Sequence, residues 1–220
     1  MPSRLPLFLL ISASFVLWFF HNYSNWPLWL FSFLPIITFS LYLTELYKKA
    51  ARPFINLSFA FLGLIYVGLP LALINELVFS PYSAEYSAQP LLFLFMVLWI
   101  NDTGAYIVGY FFGRRKLIER ISPKKTWEGL FGGFVFAFLV TFLFGKYFTE
   151  IPRMDQWILT VSIVLFGTFG DLIESMWKRS LGIKDSGNVL PGHGGWLDRL
   201  YSILMAVPAA YITIIILNAI

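Results

Sequence analysis

Seven long apolar stretches leave this chain few ways to fold. They lie at about 5–20, 26–47, 57–79, 90–112, 127–149, 157–175 and 200–220, most of them near the roughly 20 residues that carry a helix across a bilayer. In hydrocarbon every backbone N–H and C=O must find a partner inside the protein, which selects helices for spans of this length. Pro35, Pro70 and Pro208 fall inside spans, where neighbouring helices can satisfy the freed carbonyls. The first span lacks a small-residue cleavage site: "FVLWFFHNYSNW" is bulky throughout, so it reads as a retained anchor rather than a removed signal. The expected fold is an all-α polytopic membrane protein with about seven transmembrane helices. With no internal repeat and no low-complexity linker, residues 1–220 read as a single membrane domain.

Composition agrees. The chain is 58% hydrophobic and 20% aromatic, and only 13% of it is charged, against about 25% in soluble domains. A soluble core of this size has no room for so much apolar surface. There is no cysteine, hence no disulfide and no thiolate metal site.

The net charge of +4 would suit nucleic acid, but the placement of the basic residues argues for topology instead. With the N-terminus in the cytoplasm, one face collects Arg4, Lys48, Lys49, Arg52, Arg114, Arg115, Lys116, Arg120, Lys124 and Lys125. It also collects Lys178, Arg179, Lys184 and Arg199, leaving only Lys146 and Arg153 of the 16 Lys and Arg elsewhere. The positive-inside rule then puts the N-terminus in and the C-terminus out, with the lysine- and arginine-free loop "SPYSAEYSAQ" outside. No nucleic-acid partner is expected.

Two polar stretches on the basic face are where chemistry would sit. In "WINDTGAYIVGYFFGRRKLIERISPKKTWEG", Asp102 falls within an apolar span, where a carboxylate needs pairing, water or a metal. A helix–helix hydrogen bond from Asn101 and Asp102 is the structural alternative. Ser122-Pro123 reads as an N-cap with proline at the first helical position, aiming free N–H groups at the surface beside Lys124 and Lys125. That arrangement suits either a phosphate site or a lysine pair anchoring the helix to anionic headgroups.

In "GTFGDLIESMWKRSLGIKDSGNVLPGHGGWLDR", Asp171, Glu174 or Ser175, and Lys178 recur at helical spacing and share a face. Carboxylates at the end of a membrane helix suit a hard cation with oxygen ligands. The "PGHGG" turn lets backbone N–H groups approach a ligand closely.

The run from Ser175 through "KRSLGIKDSGNVLPGHGGWLDR" resembles the signature of phosphatidate cytidylyltransferases, the CDP-diacylglycerol synthases. "NDTGAY", "SPKKTWEG" and "GDLIES" are similar to that family's other landmarks, in the same order. The resemblance divides the chain into N-terminal spans over 1–89 and a catalytic part over 90–220. It implies transfer from CTP to phosphatidate, giving CDP-diacylglycerol and pyrophosphate, at a polar site on the cytoplasmic face of a bacterial inner membrane. It implies metal binding by Asp171 and Asp198, and catalytic phosphate contacts from Lys178 and Arg179. Lys124, Lys125, Lys184 and Arg199 become substrate-binding residues, and Asp102, Glu174 and Asp185 second-rank candidates for metal or for orienting lysines. His193 either donates to a phosphate oxygen or orders the glycine turn. Mg²⁺ is the expected cofactor, with room for a monovalent partner cation; CTP, phosphatidate, membrane lipids and a second copy in a homodimer are the expected partners.

The chemistry makes those residue types necessary. A lipid phosphate is already anionic, so its attack on the α-phosphorus needs no strong base. It does need two polyanions held together, and each like-charge pair at 4 Å costs about 4 kcal/mol at an effective dielectric near 20. Metal and several Lys or Arg are the remedy. Two departures stand out: Tyr201 occupies a position that is Asp in many members, and the chain is shorter than many members, which carry further spans. A CTP-dependent lipid kinase would use similar parts but attack the γ-phosphate. An anion transporter would set charges along a midplane path, often in repeated halves.

Overall fold

The computed structural model of the chain describes residues 4–49, 51–79, 82, 86–183 and 197–219, and for 4–5 and 197–199 the backbone alone. The described residues hold seven helical segments long and apolar enough to cross a membrane: Pro6–Ser24, Leu28–Tyr47, Pro53–Val78, Gln89–Phe112, Trp127–Tyr147, Arg153–Ser180 and Leu200–Ala219. These match the seven expected spans, the sixth being longer at both ends than its apolar core.

The chain forms two compact units, one of residues 1–80 and 84–86, the other of 81–83 and 87–220. The first contains α1 (Arg4–Ser24), α2 (Phe33–Tyr47), α3 (Pro53–Gly63) and α4 (Leu69–Val78). Leu10, Leu41, Leu57 and Ala60 form its buried centre. Between α3 and α4 the helix widens into a π turn over Leu64–Gly68, just before Pro70. A proline lacks the N–H that would reach back four residues and its ring presses on that carbonyl, so the wider turn lets the span continue. Polar clasps hold the helices: Glu76 accepts from the Trp18 indole and from Asn22, and Asn56 donates to the buried Glu45 at 2.8 Å.

The second unit contains α5 (Gln89–Phe112), a hairpin of β1 (Lys116–Ile118) and β2 (Ser122–Thr126), α6 (Trp127–Phe144), α7 (Arg153–Ser180) and α8 (Leu197–Ala219). Glycines set the α5–α6 approach. A Cβ at Gly104 would lie 2.6 Å from the Phe136 Cβ, one at Gly129 would lie 2.8 Å from the Ala105 carbonyl, and one at Gly132 would overlap Val108. Across α7 and α8, a Cβ at Gly170 would sit 2.7 Å from the Tyr201 carbonyl. Small residues let membrane helices meet through their backbones. Thr141 and Thr160 pair at 2.8 Å between α6 and α7, and Thr213 donates to Ser162 at 2.9 Å between α8 and α7.

Lys146 and Arg153, the two basic residues outside the main set, are both engaged locally. Lys146 lies over the Tyr147 ring and Arg153 over Trp157, at 5.0 and 5.2 Å. The Arg153 guanidinium also donates to the Thr141 and Phe142 carbonyls, at 3.0 and 2.8 Å. A cation there closes the carbonyl end of α6 and meets the negative pole of its dipole. Beside it, Tyr82 donates to Asp155 at 3.0 Å, and burial, then that bond, hold the phenol protonated well above its usual range.

One sequence expectation is corrected. Ser122-Pro123 does not open a helix. Residues 122–126 pair antiparallel with 116–118, Lys116 opposite Thr126 and Ile118 opposite Ser122. The helix starts at Trp127, capped by Thr126, which stays extended while its Oγ1 accepts the Gly129 N–H at 3.1 Å. Thr126 takes the capping role expected of Ser122, four residues later, and Pro123 fits a two-stranded hairpin where both strands are edges.

Candidate functional site

A cavity of about 770 Å³ opens in the second unit where α5, the hairpin, α6, α7 and α8 converge. α5 lines it with Asn101, Asp102, Tyr106, Gly109 and Tyr110, Tyr106 lying four residues after Asp102 and Gly109 three after Tyr106, near one side of the helix. The hairpin adds Lys116, Lys124 and Lys125, α7 adds Thr168 and Asp171, and α8 adds Tyr201. Glycines 109, 113 and 129 make part of the wall; a Cβ at Gly109 or Gly129 would enter the space between α5 and α6, and one at Gly113 would strike the Gly109 carbonyl and Thr126.

The central contact is an ion pair between Lys125 of the hairpin and Asp171 of α7, with both side chains about a quarter exposed (27% and 22%). Ser175, one turn along, stands 3.4 Å from the same carboxylate. In this half-buried setting the pair neutralises each charge while leaving both within reach of the cavity.

Asn101 lies beneath. It is buried, and its Oδ1 has no hydrogen-bond partner among the described residues. Gly133 on α6 makes the room for it, since a Cβ there would collide with that oxygen. Asp102, next along, is exposed to the cavity, with the Asn101 amide 3.5 Å from its carboxylate.

The sequence candidates divide into four groups. Asp102, Lys124, Lys125 and Asp171 are brought together. Glu174 and Lys178 pair with one another at 3.1 Å, the carboxylate fully buried and the lysine side chain 17% exposed, and neither lines the cavity. Of the set expected to share a face, Asp171, Glu174 or Ser175, and Lys178, Asp171 meets the hairpin lysine and Ser175, while Glu174 holds Lys178.

Arg179 is exposed and leans on the Ile183 carbonyl at 3.4 Å. The helix ends just after it because Gly182, at φ +67°, closes the turn: its N–H reaches the Arg179 carbonyl and that of Ile183 reaches Lys178. Asp198 and Arg199 lie in the first turn of α8 by backbone, and their side chains are outside the described residues, as are Lys184, Asp185 and His193 altogether.

Sequence reasoning missed Tyr106, Tyr110, Lys116 and Thr168 as lining residues. A signal existed for two of them: Tyr106 follows Asp102 by four and Thr168 precedes Asp171 by three, so each shares its neighbour's helical face.

The oxygen donors fit a hard cation in kind. Asp102, Asp171 and the Asn101 carbonyl are all oxygen ligands, and among the described residues no softer donor lines the cavity. Among the described residues no group of three or more acidic or histidine side chains is assembled for a metal. Lys125 meanwhile supplies positive charge at Asp171.

The cytidylyltransferase family model matches residues 1–217. Phosphatidate cytidylyltransferase of Staphylococcus epidermidis is 39% identical over 171 residues, covering 76% of this chain and 63% of the relative. That of Haemophilus influenzae is 38% identical over 181 residues, covering 77% and 62%. The Staphylococcus aureus protein of the same name is 39% identical over 171 residues. The chain thus spans less than two thirds of the length of these curated relatives. With a match that runs along nearly its whole length, the chain belongs to the cytidylyltransferase family.

Proposed function

We propose that the protein is a phosphatidate cytidylyltransferase, joining the CMP portion of CTP to phosphatidate and releasing pyrophosphate. The observation that carries this reading is the meeting of Lys125 with the Asp171 carboxylate in a cavity that Lys116 and Lys124 also line. Relatives of that name support it.

In the proposed reaction a phosphatidate oxygen attacks the α-phosphorus of CTP. The bond from that phosphorus to the bridging oxygen breaks, and pyrophosphate leaves with the electron pair. Lys124 and Lys125 hold phosphate oxygens and offset their repulsion, with Lys116 at the same wall. Lys178, its ammonium fixed by Glu174, and Arg179 take further phosphate charge, as do Lys184, Arg199 and the His193 turn. Asp171 and Asp198 would hold a divalent cation, Mg²⁺ by expectation, which when bound supplies charge neutralisation at the reacting phosphates. Positioning and neutralisation then account for the rate, since the nucleophile arrives ionised. The reading puts the site at the cytoplasmic face of a bacterial inner membrane, where the basic residues collect and where CTP is found.

The test is transfer by purified protein given phosphatidate, Mg²⁺ and CTP labelled at the α- or the γ-phosphorus. Label from the α-position in the lipid, with pyrophosphate released, is expected. Label from the γ-position makes the protein a lipid kinase, and no transfer by well-folded protein contradicts both.

A further inference from the structure

A second groove, of about 550 Å³, lies where α5 ends and α6 begins, lined by Phe112, Arg114, Arg115, Trp127, Glu128 and Phe131. Its frame is fixed. The Glu128 carboxylate accepts the backbone N–H groups of Arg114 at 3.0 Å and of Arg115 at 3.1 Å. The Trp127 N–H donates to the Arg115 carbonyl at 3.0 Å. These bonds tie the start of α6 to the backbone of both arginines and leave their guanidinium groups for something else.

Both arginines are exposed, and neither has a carboxylate within ion-pair distance among the described residues. The aromatic side chains beside them are exposed as well, Phe112 at 68% and Phe131 at 64%. Two cations against one carboxylate leave the groove net positive, and its walls are aromatic.

We propose that this groove binds the phosphate headgroup of an anionic phospholipid from the surrounding bilayer, with an acyl chain lying against Phe112, Trp127 and Phe131. Guanidinium groups match phosphate oxygens in pairs, and tryptophan is enriched at the headgroup level of membranes. A general preference of basic loops for anionic membranes would need neither the locked backbone nor the aromatic walls. The site is separate from the catalytic proposal, and no residue of it is placed there in the reaction.

Native mass spectrometry of the purified chain in mild detergent, with phosphatidylglycerol or phosphatidylcholine added, tests this. Wild-type protein is expected to retain one more phosphatidylglycerol than the R114Q/R115Q variant, while both retain phosphatidylcholine alike. Arg120→Gln, which removes an exposed arginine at the hairpin tip, should keep the wild-type count. Equal retention of phosphatidylglycerol by wild type and double variant overturns the proposal, and so does an equal loss in Arg120→Gln. A phosphatidylglycerol carrying a photoreactive group near its phosphate gives a second readout on unaltered protein. Label within 112–131 is expected, and label confined to other segments overturns the proposal.

Discussion

Lys125 and Asp171 come from segments far apart in the sequence, and their pairing is what makes a site of two otherwise ordinary polar islands. Replacing Lys125 by Met should lower kcat/KM for CTP by about 100-fold, near the effect of losing one preorganised charge-stabilising contact. Lys125→Arg should recover part of that loss, because charge returns with a different geometry. Glu174 should behave differently. Its carboxylate is fully buried and holds Lys178, and removing one partner of such a pair typically costs about 3–5 kcal/mol. Glu174→Ala is therefore expected to lower the thermal midpoint as well as the rate, while Lys125→Met leaves the midpoint nearly unchanged. Differential scanning fluorimetry in detergent alongside kinetics separates the two. The Glu174–Lys178 pair was legible as a helical i, i+4 spacing. The Lys125–Asp171 pair was not, because no local pattern connects a hairpin to a helix that follows it by a whole membrane span.

Among the elements, the α5–α6 packing depends on the absence of side chains. Gly133→Ala should drive its new methyl into Asn101 and cost about 1–3 kcal/mol, as overpacking usually does. The same substitution should disturb the cavity floor, so a weaker CTP affinity measured by calorimetry is expected with it. Arg153→Ala removes the guanidinium that closes the end of α6, and should reduce stability by about 2 kcal/mol while kcat is retained, since Arg153 lies away from the cavity. The helices themselves were readable from apolar run length to within a few residues. The hairpin was not: Ser122-Pro123 carries the chemistry of a helix start, and a five-residue strand containing a proline and two lysines shows no alternation of polar and apolar positions. Backbone pairing with Lys116–Ile118 decided the matter, and Thr126 became the cap instead.

For the molecule as a whole, orientation is the property that the charge pattern predicts and the helices alone leave open. The chain has no cysteine, so single introduced thiols report cleanly. In intact bacterial cells a membrane-impermeant maleimide should label Lys146→Cys at once and Arg120→Cys only after permeabilisation. The reverse pattern would put the cavity on the wrong side for CTP. If this cavity is the reaction site, Asp171→Asn should show it most directly. Purified variant, checked for unchanged helicity and membrane insertion, should transfer label from α-labelled CTP to phosphatidate at least about 100-fold more slowly than wild type at every Mg²⁺ concentration. Near-normal transfer at saturating Mg²⁺ would mean that the reaction does not depend on Asp171 and its cavity.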